Sequence, residues 1–235
     1  MQTLSAAFKY LTIWHFVGAC EPDFQTIGRA AKYFPVVGLV LGLTLALTNY
    51  VLAPYLAAEI LSVALIALWA AATGGLHLGG VRNTFAAFGT NAPQDKGRTY
   101  HSLGVTAIVL VILFKNAAAE SMDERLTLSL LLTPLLARWA LLTFLYGDHT
   151  QFDEIPRLIA QHLTFLQLFV GTVGTLAVIT YFLGRSGLWI ALIVSVRTLS
   201  TRSLLRRRHG MLTHAHSGAV VEFGEALSLI LLATL

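Results

Sequence analysis

The residues able to do chemistry fall into three groups. Residues 73–104 hold Gly74, Gly75, Gly79 and Gly80 together with Arg82, Lys96 and Arg98. Glycine permits close backbone approach and positive φ, and basic side chains with free backbone N–H groups can bind phosphate. Asp95 is the only carboxylate of this stretch. The second group is His209, His214 and His216, beside Arg206, Arg207 and Arg208. Imidazole suits zinc, copper or nickel rather than magnesium, but these histidines lack the usual ligand spacing. The other reading is a solvated basic loop on a membrane surface, attracting anionic lipid headgroups. The third group lies within apolar segments: Lys115, Arg138, Glu222 and Glu225. The two glutamates are three apart and share one helix face. No Walker-type loop, zincin helix or serine elbow occurs.

The elements that must position these residues are membrane helices. The chain is 56% hydrophobic and 12% charged, with a mean hydropathy of +0.70. Soluble domains carry about 25% charge, so the solvent suited to this surface is a bilayer. A membrane helix needs about 20 mostly apolar residues. Candidate spans lie near 33–53, 56–78, 104–120, 126–146, 163–183, 187–205 and 218–235. The expected fold is therefore all-α: a polytopic bundle of about seven spans in a single domain over 1–235, preceded by an N-terminal interfacial or membrane helix. Val17-Gly18-Ala19-Cys20 loosely resembles a lipoprotein cleavage box, but Lys9 interrupts the apolar core and nothing basic precedes it, so a retained helix is expected. Cys20 is the only cysteine, which excludes an internal disulfide.

Charge placement gives an orientation. With the loops before 33, at 79–103, at 147–162 and after 201 on one side, that side holds most of the lysines and arginines, and the other holds Arg125 and Arg185. The positive-inside rule makes the basic side cytoplasmic. This placement suits a bacterial inner membrane better than the net charge of +4 suits nucleic acid. A charge at mid-span costs about 2.5–3.5 kcal/mol on insertion scales, so Arg138 should face the interior, paired with Glu222 or Glu225. Lys115 is expected to snorkel to the interface.

In order along the chain, these features carry a resemblance. Residues 29–39 (RAAKYFPVVGL), Thr73-Gly74-Gly75-Leu76-His77-Leu78, Arg138-Trp139, and Thr213 with Gly218, Glu222 and Glu225 resemble the cobalamin synthase family, adenosylcobinamide-GDP ribazoletransferase, over nearly the whole length. The resemblance implies a membrane enzyme in which α-ribazole or its phosphate attacks adenosylcobinamide-GDP and GMP leaves. It also implies magnesium, held by carboxylates against the diphosphate, since charge on a transferring phosphoryl group is met by metal and positioning.

The sequence departs from the family pattern at one residue type. Where the family's HLDGLADTxDG places aspartates, this chain has Gly79, Asn83 and Ala86. The KDSR motif appears as Lys96-Gly97-Arg98-Thr99, and TGDTLG as Thr213-His214-Ala215-His216-Ser217-Gly218, putting Gly97 and Ala215 at aspartate positions. The loop between Ala86 and Lys96 is also shorter than the family's. The expectation is a catalytically degenerate homologue that has lost its magnesium site. It would keep a corrinoid- or nucleotide-binding role, or act as a subunit in a homo-oligomer or with a protein partner. One alternative is an active transferase with a site rebuilt from Asp95, Glu222 and Glu225 or the histidines. The other is a transporter or structural subunit, although no repeat supports it.

Overall fold

The computed structural model describes residues 2–14, 24–88, 101–147 and 149–235. Its helices are α1 (Gln2–Leu11), α2 (Phe24–Ala30), α3 (Phe34–Leu52), α4 (Ala58–Ala72), α5 (Leu76–Phe88), α6 (His101–Glu120), α7 (Leu126–Leu145), α8 (Glu154–Gln161), α9 (Phe165–His209) and α10 (His214–Ala233). Among the described residues no strand forms; Phe152 and Leu212 make one isolated parallel bridge. Among the described residues five helical segments are long and apolar enough to cross a membrane, or six with the bent pair α4 and α5 taken as one. The chain is an integral membrane helix bundle.

The core is built on α7. Leu132, Leu136, Ala137, Arg138, Ala140 and Leu142 have no exposed surface. The opposite pattern holds on α6 and α9, where Leu110, Phe114, Phe169, Val173, Leu192 and Val196 are exposed. An apolar exterior around a packed interior is what lipid solvent requires. Gly38 and Gly42, one turn apart on α3, let that helix approach α7 closely. A Cβ on Gly42 would lie 2.9 Å from the Leu130 carbonyl oxygen, the group left without its helical donor by Pro134. Small residues at this spacing are a common way to pack membrane helices.

Two expectations about the elements need correction. Residues 56–78 are not one straight span. Gly74 and Gly75, at φ 62° and 65°, break the chain, and α4 and α5 meet at 87°. The glycine-rich stretch after 79 is accordingly helix α5 as far as Phe88, not loop. The two segments expected at 163–183 and 187–205, by contrast, are both present within α9: Gly184 between them has φ 56° and ψ −132°, which breaks the helix. A Cβ on Gly187 would lie 2.9 Å from the Ile179 carbonyl oxygen, whereas eight residues along a straight helix span about 12 Å. The chain folds back at Gly184, so α9 is two arms. Trp139 Nε1 donates to Thr172 Oγ1 at 3.0 Å on the first arm, and Arg202 on the second donates to the Tyr146 carbonyl.

At the N-terminus, α1 has ten residues, about 15 Å of helix and too short to cross a bilayer core of about 30 Å. Its Ala7 and Leu11 are fully buried, and Tyr10 stacks on Phe34 at 5.7 Å.

Candidate functional site

A groove of about 530 Å³ opens where α5, the start of α10 and the start of α8 meet, lined by Gly79, Asn83, Asp153, Thr213, His214 and Ala215 among others. Its floor forms because Gly80 and Gly218 bring α5 and α10 into contact; a Cβ on Gly80 would stand 2.7 Å from Gly218 Cα and from the Ala215 carbonyl oxygen. Its rim forms through the bridge between two connections. Leu212 N–H donates to the Gln151 carbonyl at 2.8 Å, and Asp153 N–H to the Leu212 carbonyl at 3.0 Å.

The helical register explains the motif positions. Gly79, Asn83 and Ala86 are at i, i+4 and i+7 of α5 and share one face. Gly79 and Asn83 line the groove, as does Ala215 across from them; Ala86 is partly buried one turn further on. A Cβ on Gly79 would meet nothing within 4 Å, so a longer side chain there would project into open space. Gly74 and Gly75 shape the groove's entry. Arg82 is not part of the lining; it sits on the far side of α5, its Cγ 3.0 Å from where Gly104 would carry a Cβ. Asp95, Lys96, Gly97 and Arg98 lie outside the described residues.

Asp153, which the sequence did not single out, is the carboxylate the fold delivers to this groove. The available signal was local: Asp153 occupies the N-cap position of α8, with Pro156 in its first turn. Such a residue reads as a helix start and nothing more.

Beyond the groove, in the middle of the bundle, lies a buried charge cluster. Lys115 Nζ on α6 is 2.8 Å from Glu222 on α10 and also pairs with Glu225. Arg138 on α7 pairs with Glu225, as expected for one of the two glutamates. Trp69 Nε1 on α4 donates to Glu225 Oε1 at 3.0 Å, and the Lys115 ammonium lies 4.3 Å from the Trp69 ring centre. The expectation of a snorkelling Lys115 is wrong: it is 4% exposed, because two carboxylates one helical turn apart offer a better partner than the interface. Close packing makes the cluster possible, since a Cβ on Gly224 would lie 3.3 Å from Ala137 Cα. Glu222 and Glu225 are thus committed to Lys115 and Arg138 and do not line the groove.

The histidines also differ from expectation. His214 and His216 do not sit in a solvated loop; they begin α10. Thr213 Oγ1 accepts from the His216 N–H at 3.5 Å, and His216 Nδ1 accepts from the Thr213 N–H at 2.9 Å. His216 is a buried capping residue with its ring 5.1 Å from that of His209, while His214 turns away to meet Tyr10 at 6.0 Å. Among the described residues no group of three or more His, Cys, Asp or Glu could hold a metal ion. His77 is buried, in a small cavity whose lining shares Leu76 and His214 with the groove. Its Nε2, with Tyr10 Oη and Ser217 Oγ, has no protein partner, and the three residues share this cavity of about 30 Å³, room enough for a water molecule.

Magnesium requires hard oxygen ligands and usually carboxylates. Among the described residues the groove's lining offers one carboxylate, Asp153, and one amide oxygen, Asn83, while Gly79 and Ala215 offer no side-chain ligand. The described residues do not fit the metal that the family resemblance implies.

Comparison with known proteins accounts for the order of these features. No solved structure matches. Adenosylcobinamide-GDP ribazoletransferase of Pseudomonas fluorescens is 31% identical over 223 residues, covering 89% of each chain. The protein of that name from Stutzerimonas stutzeri is 30% identical over 250 residues, covering 99% of this chain and 98% of its own, and that from Geotalea daltonii is 28% identical over 215 residues. The family model described as cobalamin-5-phosphate synthase matches residues 3–233, spanning the groove, the charge cluster and both arms of α9, and the chain therefore belongs to the cobalamin-5-phosphate synthase family.

Proposed function

We propose that this chain is a family member that keeps the binding groove and has lost the metal-dependent transfer. The observation that carries this reading is that Gly79, Asn83 and Ala215 line one groove, and the resemblance puts aspartate at each of them. A groove of this size with backbone donors and the Asn83 amide can hold a phosphate-bearing corrinoid or nucleotide in its ground state. Transfer needs more: stabilisation that grows as charge develops on the diphosphate. Asp153 adds negative charge without the partners a divalent ion needs. The retained role is binding of a family ligand or service as a subunit, in a bacterial inner membrane with the groove on the cytoplasmic face. The orientation rests on the asymmetry of basic residues.

The test is GMP release from adenosylcobinamide-GDP and α-ribazole by the purified protein in lipid, with and without magnesium, beside a relative that carries all the motif aspartates. No metal-stimulated release is expected. Turnover within about tenfold of the relative would overturn the reading.

The presence of Asp153 in the groove favours a second reading, a rebuilt site in which this carboxylate and the Asn83 oxygen help hold a metal. Under it, Asp153→Asn abolishes turnover; under the first reading there is no turnover to abolish, and the variant changes only ligand affinity.

A further inference from the structure

A second cavity, of about 500 Å³, lies between α6 and α10 and shares no lining residue with the groove. Phe85, Leu110, Phe114, Phe223, Leu227 and Ile230 form its walls, and among the described residues Arg197 is the only charged one in the lining. Leu103, Leu110 and Phe114 of its α6 wall are exposed on the bundle's exterior, so it opens sideways to where lipid chains run. From Leu103 to Phe114 it follows about 16 Å of helix.

Arg197 sits midway along the second arm of α9, within a span. Its guanidinium lies 5.1 Å from the Phe223 ring centre, and Nη1 makes a long hydrogen bond of 3.5 Å to the Val220 carbonyl. Among the described residues it forms no ion pair with a carboxylate, unlike Lys115 and Arg138. A charge within a span calls for a counter-charge or access to a polar phase. Arg197 meets α10 at Val220 and Phe223, in its N-terminal half, and Phe223 begins the cavity's α10 wall, which runs on to Ile230.

We infer that this cavity is a binding site for an anionic phospholipid: one acyl chain lies along Phe114, Leu227 and Ile230, and the phosphate reaches Arg197 at the end nearer the basic loops. Arginine's planar fork of donors matches a phosphate diester. An apolar slot with a single cation at one end has the charge and shape of an amphiphile with an anionic head. The lateral opening selects a lipid over a soluble phosphate compound, which would have to cross hydrocarbon to enter. The inference is independent of whether transfer has been lost, because none of its residues lines the candidate groove except through the shared helices α5 and α10.

The experiment is native mass spectrometry of the full chain in a neutral detergent, titrated with phosphatidylglycerol or phosphatidylcholine of identical chains. One phosphatidylglycerol should be retained with an affinity about tenfold or more above that of phosphatidylcholine, whose phosphate diester is the same but carries a choline cation that offsets its charge toward Arg197. Arg197→Gln should abolish the preference, Arg197→Lys should keep most of it, and Arg206→Gln, at an exposed position, should leave it unchanged. Leu110→Trp, at a lipid-facing position, should fill the slot and weaken both lipids. Equal affinity of the wild type for the two lipids would overturn the proposal. So would a preference that survives Arg197→Gln, or one-for-one displacement of phosphatidylglycerol by α-ribazole phosphate. If Arg197→Gln does not fold, Leu110→Trp decides, since undiminished binding there places the lipid elsewhere.

Discussion

The two ends of the site treat charge in opposite ways. In the middle of the bundle, Glu222 and Glu225 persist with Lys115 and Arg138 as buried partners. Less than a helix length away, at the groove, Gly79, Asn83 and Ala215 stand where the family resemblance puts acids. The difference lies in what each charge does for the fold. A carboxylate in the interior neutralises a cation that would otherwise be stranded in a low-dielectric core, so removing it destabilises the protein. A carboxylate facing an open groove is solvated, supports ligand or metal, and can be replaced with little structural penalty.

The sharpest way to break this comparison is to remove the interior charges. Arg138→Leu should destabilise the protein by about 3–5 kcal/mol, because Glu225 then keeps a buried charge with one partner fewer. Arg138→Leu combined with Glu225→Leu should cost less than the two single losses added together. Thermal or denaturant unfolding in detergent measures both. Wild-type stability in Arg138→Leu would show that the ion pair is not needed for the fold.

Neighbouring glycines test the groove itself. Gly80→Ala drives a methyl into the Ala215 carbonyl and Gly218 Cα, both 2.7 Å away, and should cost about 1–3 kcal/mol by forcing α5 from α10. Gly79→Ala, one residue earlier, meets open space and should be neutral or stabilising by about 0.5–1 kcal/mol from helix propensity. If both substitutions cost the same, the groove is not open at Gly79.

The smallest structural effect is expected where the functional one is of most interest. Gly79→Asp with Asn83→Asp and Ala215→Asp should change stability by less than about 1 kcal/mol without magnesium and should create magnesium binding detectable by calorimetry. Turnover should lag behind binding, since a ligand misplaced by about 1 Å can cost a hundredfold in rate. Absence of any magnesium binding in the triple variant would mean that the three positions do not converge on one site.

Family membership, the helical membrane architecture and the pairing of Arg138 with one of two glutamates were legible from sequence alone. Each rests on a local or periodic property: apolar length, motif order, or two acids on one helix face. The resemblance also singled out Gly79, Asn83 and Ala86, although the sequence read them as loop where they share a face of α5. Hydropathy could not separate a straight span from one bent at Gly74 and Gly75, because the bend is decided by backbone torsions rather than by composition, whereas the break at Gly184 falls between two expected apolar segments. Tertiary structure alone decided that Lys115 is buried between Glu222 and Glu225, since an isolated helix cannot show what faces it across the bundle. It alone brought Asp153 to the groove, through a two-residue bridge between connections some sixty positions apart. It likewise left Arg197 in an apolar slot with no carboxylate partner among the described residues. Partners of this kind are set by which helices touch, and in a bilayer, where nearly every face is apolar, sequence pattern carries little information about that choice.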